Sequence, residues 1–283
     1  MSELENLQAQ VYTEQKNYRI EYDNVTERDI VAVYLTSNAL FFPNTPEVFR
    51  KAVVEKDRYE WTRLKIRRAQ KHIFVRDVYK QWYASGINAK INTIDKLTDW
   101  LREQVKGYKH LIIIGSSGGG YASALIGAKL QASLVIDFNG QWEINSSIER
   151  DGKIISPVLK KMLDEGHDGV KYFNIARKEF DYSRTFYLVS DHSPWDSKQM
   201  RLVEGFKNIH IIRFHNRHHG IPFLKVALPT ILNMSYEELC HLEKQGHWPV
   251  IFEMGLVGIM PTCKYLLKLS KKIIKKKIQG KQR

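Results

Sequence analysis

Short apolar runs alternate along the chain with stretches of helical spacing. Residues 30–35, 71–77, 111–114, 132–138, 185–190 and 208–214 are of strand length and rich in Val, Ile, Leu and Phe. Runs this continuously apolar predict strands buried on both faces. Residues 47–56, 93–105, 121–126 and 198–203 read as helices, with Thr93 placed to cap the second. Residues 10–14 and 17–22 are expected to form an opening hairpin. Strands alternating with helices imply an α/β fold, a mainly parallel sheet with helices on both faces. Ligands of such sheets gather beyond the carboxyl ends of the strands. Residues 140–184 leave this alternation.

Composition changes this picture little. The 283 residues, 43% hydrophobic, suffice for a sizeable core, and no Pro/Gly/Ser linker or internal repeat divides them. The expected organisation is a body at 1–234 and a helical extension at 235–283. Cys240 and Cys263 lack the spacing of a metal site or a disulfide framework and suggest a reducing compartment. The first residues lack the basic and apolar regions of a signal peptide. No apolar run is long enough to span a membrane. A cytoplasmic protein is expected.

The most telling stretch is Gly115-Ser116-Ser117-Gly118-Gly119-Gly120, between a strand-type run and a helical one. Strand, tight Gly-x-Ser-x-Gly turn, helix is the layout of a nucleophile elbow. Glycines flank Ser117 because side chains there would collide with strand or helix. The turn lifts the Ser117 hydroxyl above the sheet edge and leaves the Gly118 N–H free for an oxyanion. Glycine-rich turns also cradle phosphates. Here no Lys follows them as in a P-loop, and the spacing does not fit Gly-x-Gly-x-x-Gly.

An acid and then a histidine should follow the serine. Asp191 and Asp196 lie after the run at 185–190. His215, His218 and His219 lie after the run at 208–214, with Gly220 next. A triad needs the histidine to take the serine proton and the acid to fix its tautomer. Asp196 is preferred as the acid, although it also sits where a helix N-cap would. Asp191 is the runner-up.

With these elements the chain resembles the α/β-hydrolase superfamily over about 29–234. More narrowly, it resembles the capsular polysaccharide O-acetyltransferases of bacteria. Residues 34–38, Gly115 to Gly119, 135–141 and His219-Gly220 carry the likeness. It implies a catalytic domain with a small cap inserted at 140–184. Ser117 carries over as nucleophile and His219, directly before the glycine, as base, with His215 and His218 as rivals. The lipase-type His-Gly-Gly oxyanion loop is absent. Gly118 then gives one oxyanion donor, and the loop at Ser37-Asn38, through backbone or the Asn38 amide, is the candidate for the other. The implied reaction is serine acyl transfer: acetyl-CoA as co-substrate, a polysaccharide hydroxyl as acceptor, no bound cofactor and no metal. Water as acceptor makes the same residues an esterase or deacetylase. A non-catalytic scaffold in surface-glycan assembly is the reading from a different class. The pairs Arg76-Asp77 and Trp82-Tyr83, after the run at 71–77, suit a sugar or ordinary packing.

Charge adds a second clue. The formal net charge is +13. Nine basic residues and no acid lie from Lys264 onward, which leaves +4 on the rest. Tyr265, Leu266, Leu269 and Ile273 fall near one helical face, and lysines dominate the others. A basic amphipathic tail over 264–283 suits an anionic membrane surface, hence a peripheral location at the inner face of the cytoplasmic membrane. A nucleic-acid-binding motif and stacking aromatics are missing from the tail.

Overall fold

A computed structural model describes residues 2–26, 29–150, 152–177 and 179–280. Seven strands form the central sheet: β1 (Tyr18–Tyr22), β2 (Ile30–Leu35), β3 (Lys71–Val75), β4 (His110–Ser116), β5 (Leu134–Phe138), β6 (Thr185–Ser190) and β7 (Ile209–Phe214). Their order is β1-β3-β2-β4-β5-β6-β7, and every pairing is parallel except β1 with β3. From β2 onward the chain crosses over between parallel strands, which puts helices on both faces. All six residues of β2 are buried: Val31, Val33 and Leu35 in one apolar cluster, Ala32 and Tyr34 in the other. This two-sided burial is why the strands read as unbroken apolar runs.

The longer helices are α1 (Glu3–Glu14), α2 (Ile94–Val105), α3 (Gly118–Leu130), α4 (Pro157–Asp164), α5 (Pro194–Val203), α6 (Tyr236–Glu243), α7 (Pro249–Val257) and α8 (Ile259–Gly280). Helix α2 starts where Thr93 accepts a hydrogen bond from Lys96 N at 3.0 Å. It buries Ile94, Leu97 and Leu101 on the face holding Leu125 of α3. Truncating such a side chain to Ala costs about 2–5 kcal/mol. Between β5 and β6 the chain leaves the sheet, forms α4 and a small antiparallel pair at Glu149–Arg150 and Lys153–Ile154, and buries Trp142, Ile144, Leu159 and Phe173 in the main core.

The opening hairpin does not form. Residues 10–14 belong to α1, whose start is fixed by a capping box between Ser2 and Glu5. Leu4, Leu7 and Val11 pack at helical spacing against Phe41 and Phe49. Strand β1 instead pairs with distant β3, Tyr18 opposite Val75. At the other end, α7 docks through Phe252 on Phe214, ring centroids 5.0 Å apart, and α8 follows after Gly258. No helix among the described residues is long and apolar enough to cross a membrane.

Candidate active site

Strand β4 ends at Ser116 and α3 begins at Gly118, so Ser117 must reverse the chain within one residue. It does so at φ +54°, ψ −122°, a strained conformation for a residue with a side chain. Space enforces glycine on both sides. A Cβ on Gly115 would lie 2.1 Å from Gly119 O, and one on Gly119 would lie 2.4 Å from Leu35 O. Helix α3 therefore seats directly on β2 and β4, with Ser117 at its N-terminus.

Ser117 Oγ lies 2.8 Å from His219 Nε2, and His219 Nδ1 lies 2.7 Å from Asp196 Oδ1. The three residues follow three different strands, β4, β6 and β7, at the carboxyl edge of the sheet: Ser117 at the elbow, Asp196 in the first turn of α5 and His219 in a loop. Asp196 is fully buried and His219 is exposed. Asp196 is not the cap of α5: Ser193 accepts from Asp196 N at 3.3 Å and fills that position, and Pro194 begins the helix. That start sets Asp196 in the first turn, facing His219.

The other aspartate makes a second pair. Asp191, one residue beyond β6, accepts from His215 Nδ1 at 2.9 Å. His192 stacks on His215, and Trp248 closes over both edge-on. The side chain of His218 is exposed. The structure thus brings together Ser117, His219 and Asp196, and sets Asp191 and His215 apart from them.

Several buried groups hold the histidine loop. Asn139 Nδ2 donates to Gly220 O at 2.8 Å and to Ser190 Oγ at 3.0 Å, and Asn139 Oδ1 accepts from Ser190 N at 2.8 Å. Ser190 Oγ in turn donates to His218 O at 2.6 Å. The ends of β5 and β6 are thereby tied to the residues on both sides of His219. Beneath them Asp137 is fully buried, accepting from Gly140 N at 2.8 Å. Burial, and the nearby charge of Asp196, hold its carboxyl well above the usual range.

Gln141, after β5, closes the stretch at 135–141. Its Oε1 accepts from Trp82 Nε1 at 2.8 Å, which turns the amide nitrogen toward His219 Nε2 at 3.3 Å and Ser117 Oγ at 3.5 Å. Just beyond it, Gln199 of α5 accepts from Trp142 N and Glu143 N at 2.7 and 2.9 Å. One helix therefore carries both the carboxylate that meets His219 and the amide that fixes the chain beside Gln141.

At the oxyanion side, Gly118 N–H is a first-turn amide of α3, without an intrahelical acceptor. A Cβ on Gly118 would lie 2.9 Å from Asn38 Oδ1, so the Asn38 amide rests against this glycine. Ser37 is committed elsewhere: its N–H and hydroxyl donate to Glu60 at 2.8 and 2.9 Å.

Arg76, Asp77 and Tyr83 are taken up by the fold. Buried Arg76 pairs with Asp57 at 2.9 Å and donates to Asn17 and Gln15. Asp77 accepts four backbone N–H groups, from Tyr79, Lys80, Gln81 and Tyr83, while burial pushes it up to about 6. Of that set only Trp82 touches the site, through Gln141.

The sheet order, the single antiparallel edge strand and the strained serine after a central strand make this the α/β-hydrolase fold. No protein-family model matches the chain, and no curated protein matches it in sequence. Solved structures similar in fold include a capsule O-acetyltransferase of Neisseria meningitidis serogroup A, 12% identical, TM-score 0.47, covering 71% of this chain and 83% of that one. Esterase B from Lactobacillus rhamnosis is 10% identical, TM-score 0.45, over 98% and 94% of the two chains. An esterase of Pyrobaculum calidifontis is 11% identical, TM-score 0.45, over 84% and 81%.

Proposed function

We propose that this protein is a serine-dependent O-acyltransferase that moves an acetyl group from acetyl-CoA to a hydroxyl of a bacterial capsular or surface polysaccharide. The observation that carries the acyl chemistry is the unbroken line from buried Asp196 through His219 to Ser117, at 2.7 and 2.8 Å. The narrower choice of acceptor and donor follows from the motif resemblance to the capsule enzymes.

In this mechanism His219 Nδ1–H donates to Asp196, which leaves Nε2 to take the Ser117 proton as Oγ attacks the thioester carbonyl. Gly118 N–H and the Asn38 amide stabilise the oxyanion. Collapse expels the thiolate, which takes the proton from His219, and leaves acetyl on Ser117. A sugar hydroxyl then gives its proton to His219 Nε2 and attacks the acyl group. Collapse returns the proton to Ser117 and releases the O-acetyl sugar. With water in place of the sugar, the same steps give a deacetylase.

The C-terminal helices suit attachment to an anionic membrane surface. Trp248, Ile251, Ile259, Met260, Leu267 and Ile274 are exposed around α7 and α8, alongside exposed Lys264, Lys268, Lys271 and Lys272. Apolar side chains bordered by lysines match the acyl boundary and charged headgroups of such a surface.

Incubation with radiolabelled acetyl-CoA and a panel of capsular polysaccharides tests the reaction. Ser117-dependent label in one polymer supports transfer and names the acceptor. Ser117-dependent release of acetate from an acetylated polymer, with transfer to none, replaces it with hydrolysis.

A further inference from the structure

A groove of about 920 Å³ runs to the candidate active site, reaching Ser116, His219 and Gly220. Its walls carry an uneven charge. Lys51 and Lys56 come from the helical stretch after Pro46–Phe49, Arg63 from the loop beyond it, and Lys225 from the chain that follows His219. All four are exposed, and none forms an ion pair with a described residue. The groove also contains two acids, each hydrogen-bonded or ion-paired to other residues, with Lys225 near enough to Glu60 to feel its charge. Asp57 pairs with Arg19 at 2.8 Å and with Arg76 at 2.9 Å. Glu60 turns its carboxylate to Ser37, and burial raises its pKa.

We propose that this groove binds a polyanion, a ligand carrying at least two phosphate or carboxylate groups, and that Lys51, Lys56, Arg63 and Lys225 are its contacts. Cations ringing a concave site with low-dielectric walls focus their field and raise the local concentration of an anionic ligand. Lys225 lies six residues after His219 in sequence, while the other three line the groove from a segment far earlier in the chain. A ligand held between them lies along the approach to Ser117. The proposal rests on the acyl-transfer reading and deepens it: these four side chains hold the phosphates of the donor or the acidic groups of the acceptor. A phosphorylated carrier and an acidic glycan present the same chemistry to these side chains.

The test uses the full-length chain with Ser117→Ala, so that binding is read without turnover. Isothermal titration compares adenosine 3′,5′-bisphosphate with adenosine, and an oligogalacturonate with a neutral maltooligosaccharide of equal length. At least one anionic probe should bind more tightly than its neutral partner, and weaken as salt rises from 50 to 300 mM. Replacing the four cations together by Gln should lower that affinity by about tenfold or more, since it removes the field that concentrates the anion. The same change at Lys96, Lys153 and Lys198, which lie outside the groove, should leave affinity within about twofold. Tighter binding of the bisphosphate assigns the groove to the donor; tighter binding of the uronate assigns it to the acceptor. The proposal is overturned if neither anion outbinds its neutral partner, or if the four-Gln variant melts and binds as the parent does. The reactivity of Ser117 toward a fluorophosphonate is a separate readout. If Ser117 does not react but a polyanion binds, the catalytic reading fails and the groove assignment stands.

Discussion

The indole of Trp82 fixes the amide of Gln141: Trp82 Nε1 donates to Gln141 Oε1 at 2.8 Å, so Gln141 Nε2 faces Ser117 and His219. An amide aimed at the nucleophile stabilises charge on Oγ and can donate to an acceptor hydroxyl approaching His219. Losing one such donor costs on the order of 10²-fold in turnover. Gln141→Ala should lose about that much on any ester, while Trp82→Phe, which frees the amide to turn, should lose roughly tenfold. Steady-state kinetics on a soluble ester checks both. Equal rates in all three proteins would leave Gln141 a packing residue.

Asp196 and Asp191 each hold a histidine, but only the first histidine reaches Ser117. Asp196→Asn should lower turnover by about 10⁴-fold, since an amide there favours the wrong tautomer of His219. Asp191→Asn should leave turnover within about tenfold. A comparison of kcat in the two variants decides, and the reverse ranking would transfer the role to the second pair.

Glu253 on α7 is fully buried, and burial pushes it up to about 8. In the unfolded chain the same carboxyl ionises near 4.5. Between these values the unfolded state has shed a proton that the folded state keeps, so stability falls as pH rises through that window and levels off above it. Glu253→Gln stays neutral throughout. Its melting temperature should match the parent near pH 4.5 and exceed it by roughly 2 °C or more at pH 8, about the shift that 1 kcal/mol brings at this size. Parallel melting curves across this range would contradict the prediction.

Strand positions were legible because a sheet covered on both faces needs continuous apolar residues, and 185–190 was read to the residue. The elbow was legible because its glycines are forced by close approach at Gly115 and Gly119. The opening hairpin misled because a strand after a polar stretch invites a local partner. β1 pairs instead with β3, about fifty residues on, and the spacing of Leu4, Leu7 and Val11 is the sign of a helix. Asp196 and Asp191 were hard to separate by order alone. The capping of α5 by Ser193 distinguishes them, by fixing which carboxylate faces His219. Gln141 could not be read at all, since its orientation depends on Trp82, 59 positions away.

The membrane proposal predicts two separable losses. Removing residues 264–283 should abolish binding to vesicles rich in anionic lipid, each basic residue near such a surface contributing about 1 kcal/mol. Trp248→Ser with Ile251→Ser should weaken binding and leave its salt dependence intact. Vesicle sedimentation checks both, and retention of the truncated chain on the vesicles would place the contact elsewhere.

The central claim, that Ser117 is an activated nucleophile, is tested most directly by treating the full-length protein with a fluorophosphonate and locating the adduct by peptide mass spectrometry. The account predicts one adduct, on Ser117, absent from Ser117→Ala and formed far more slowly in His219→Ala and Asp196→Asn. A folded parent protein that takes no label, or an adduct that persists in Ser117→Ala, would contradict it.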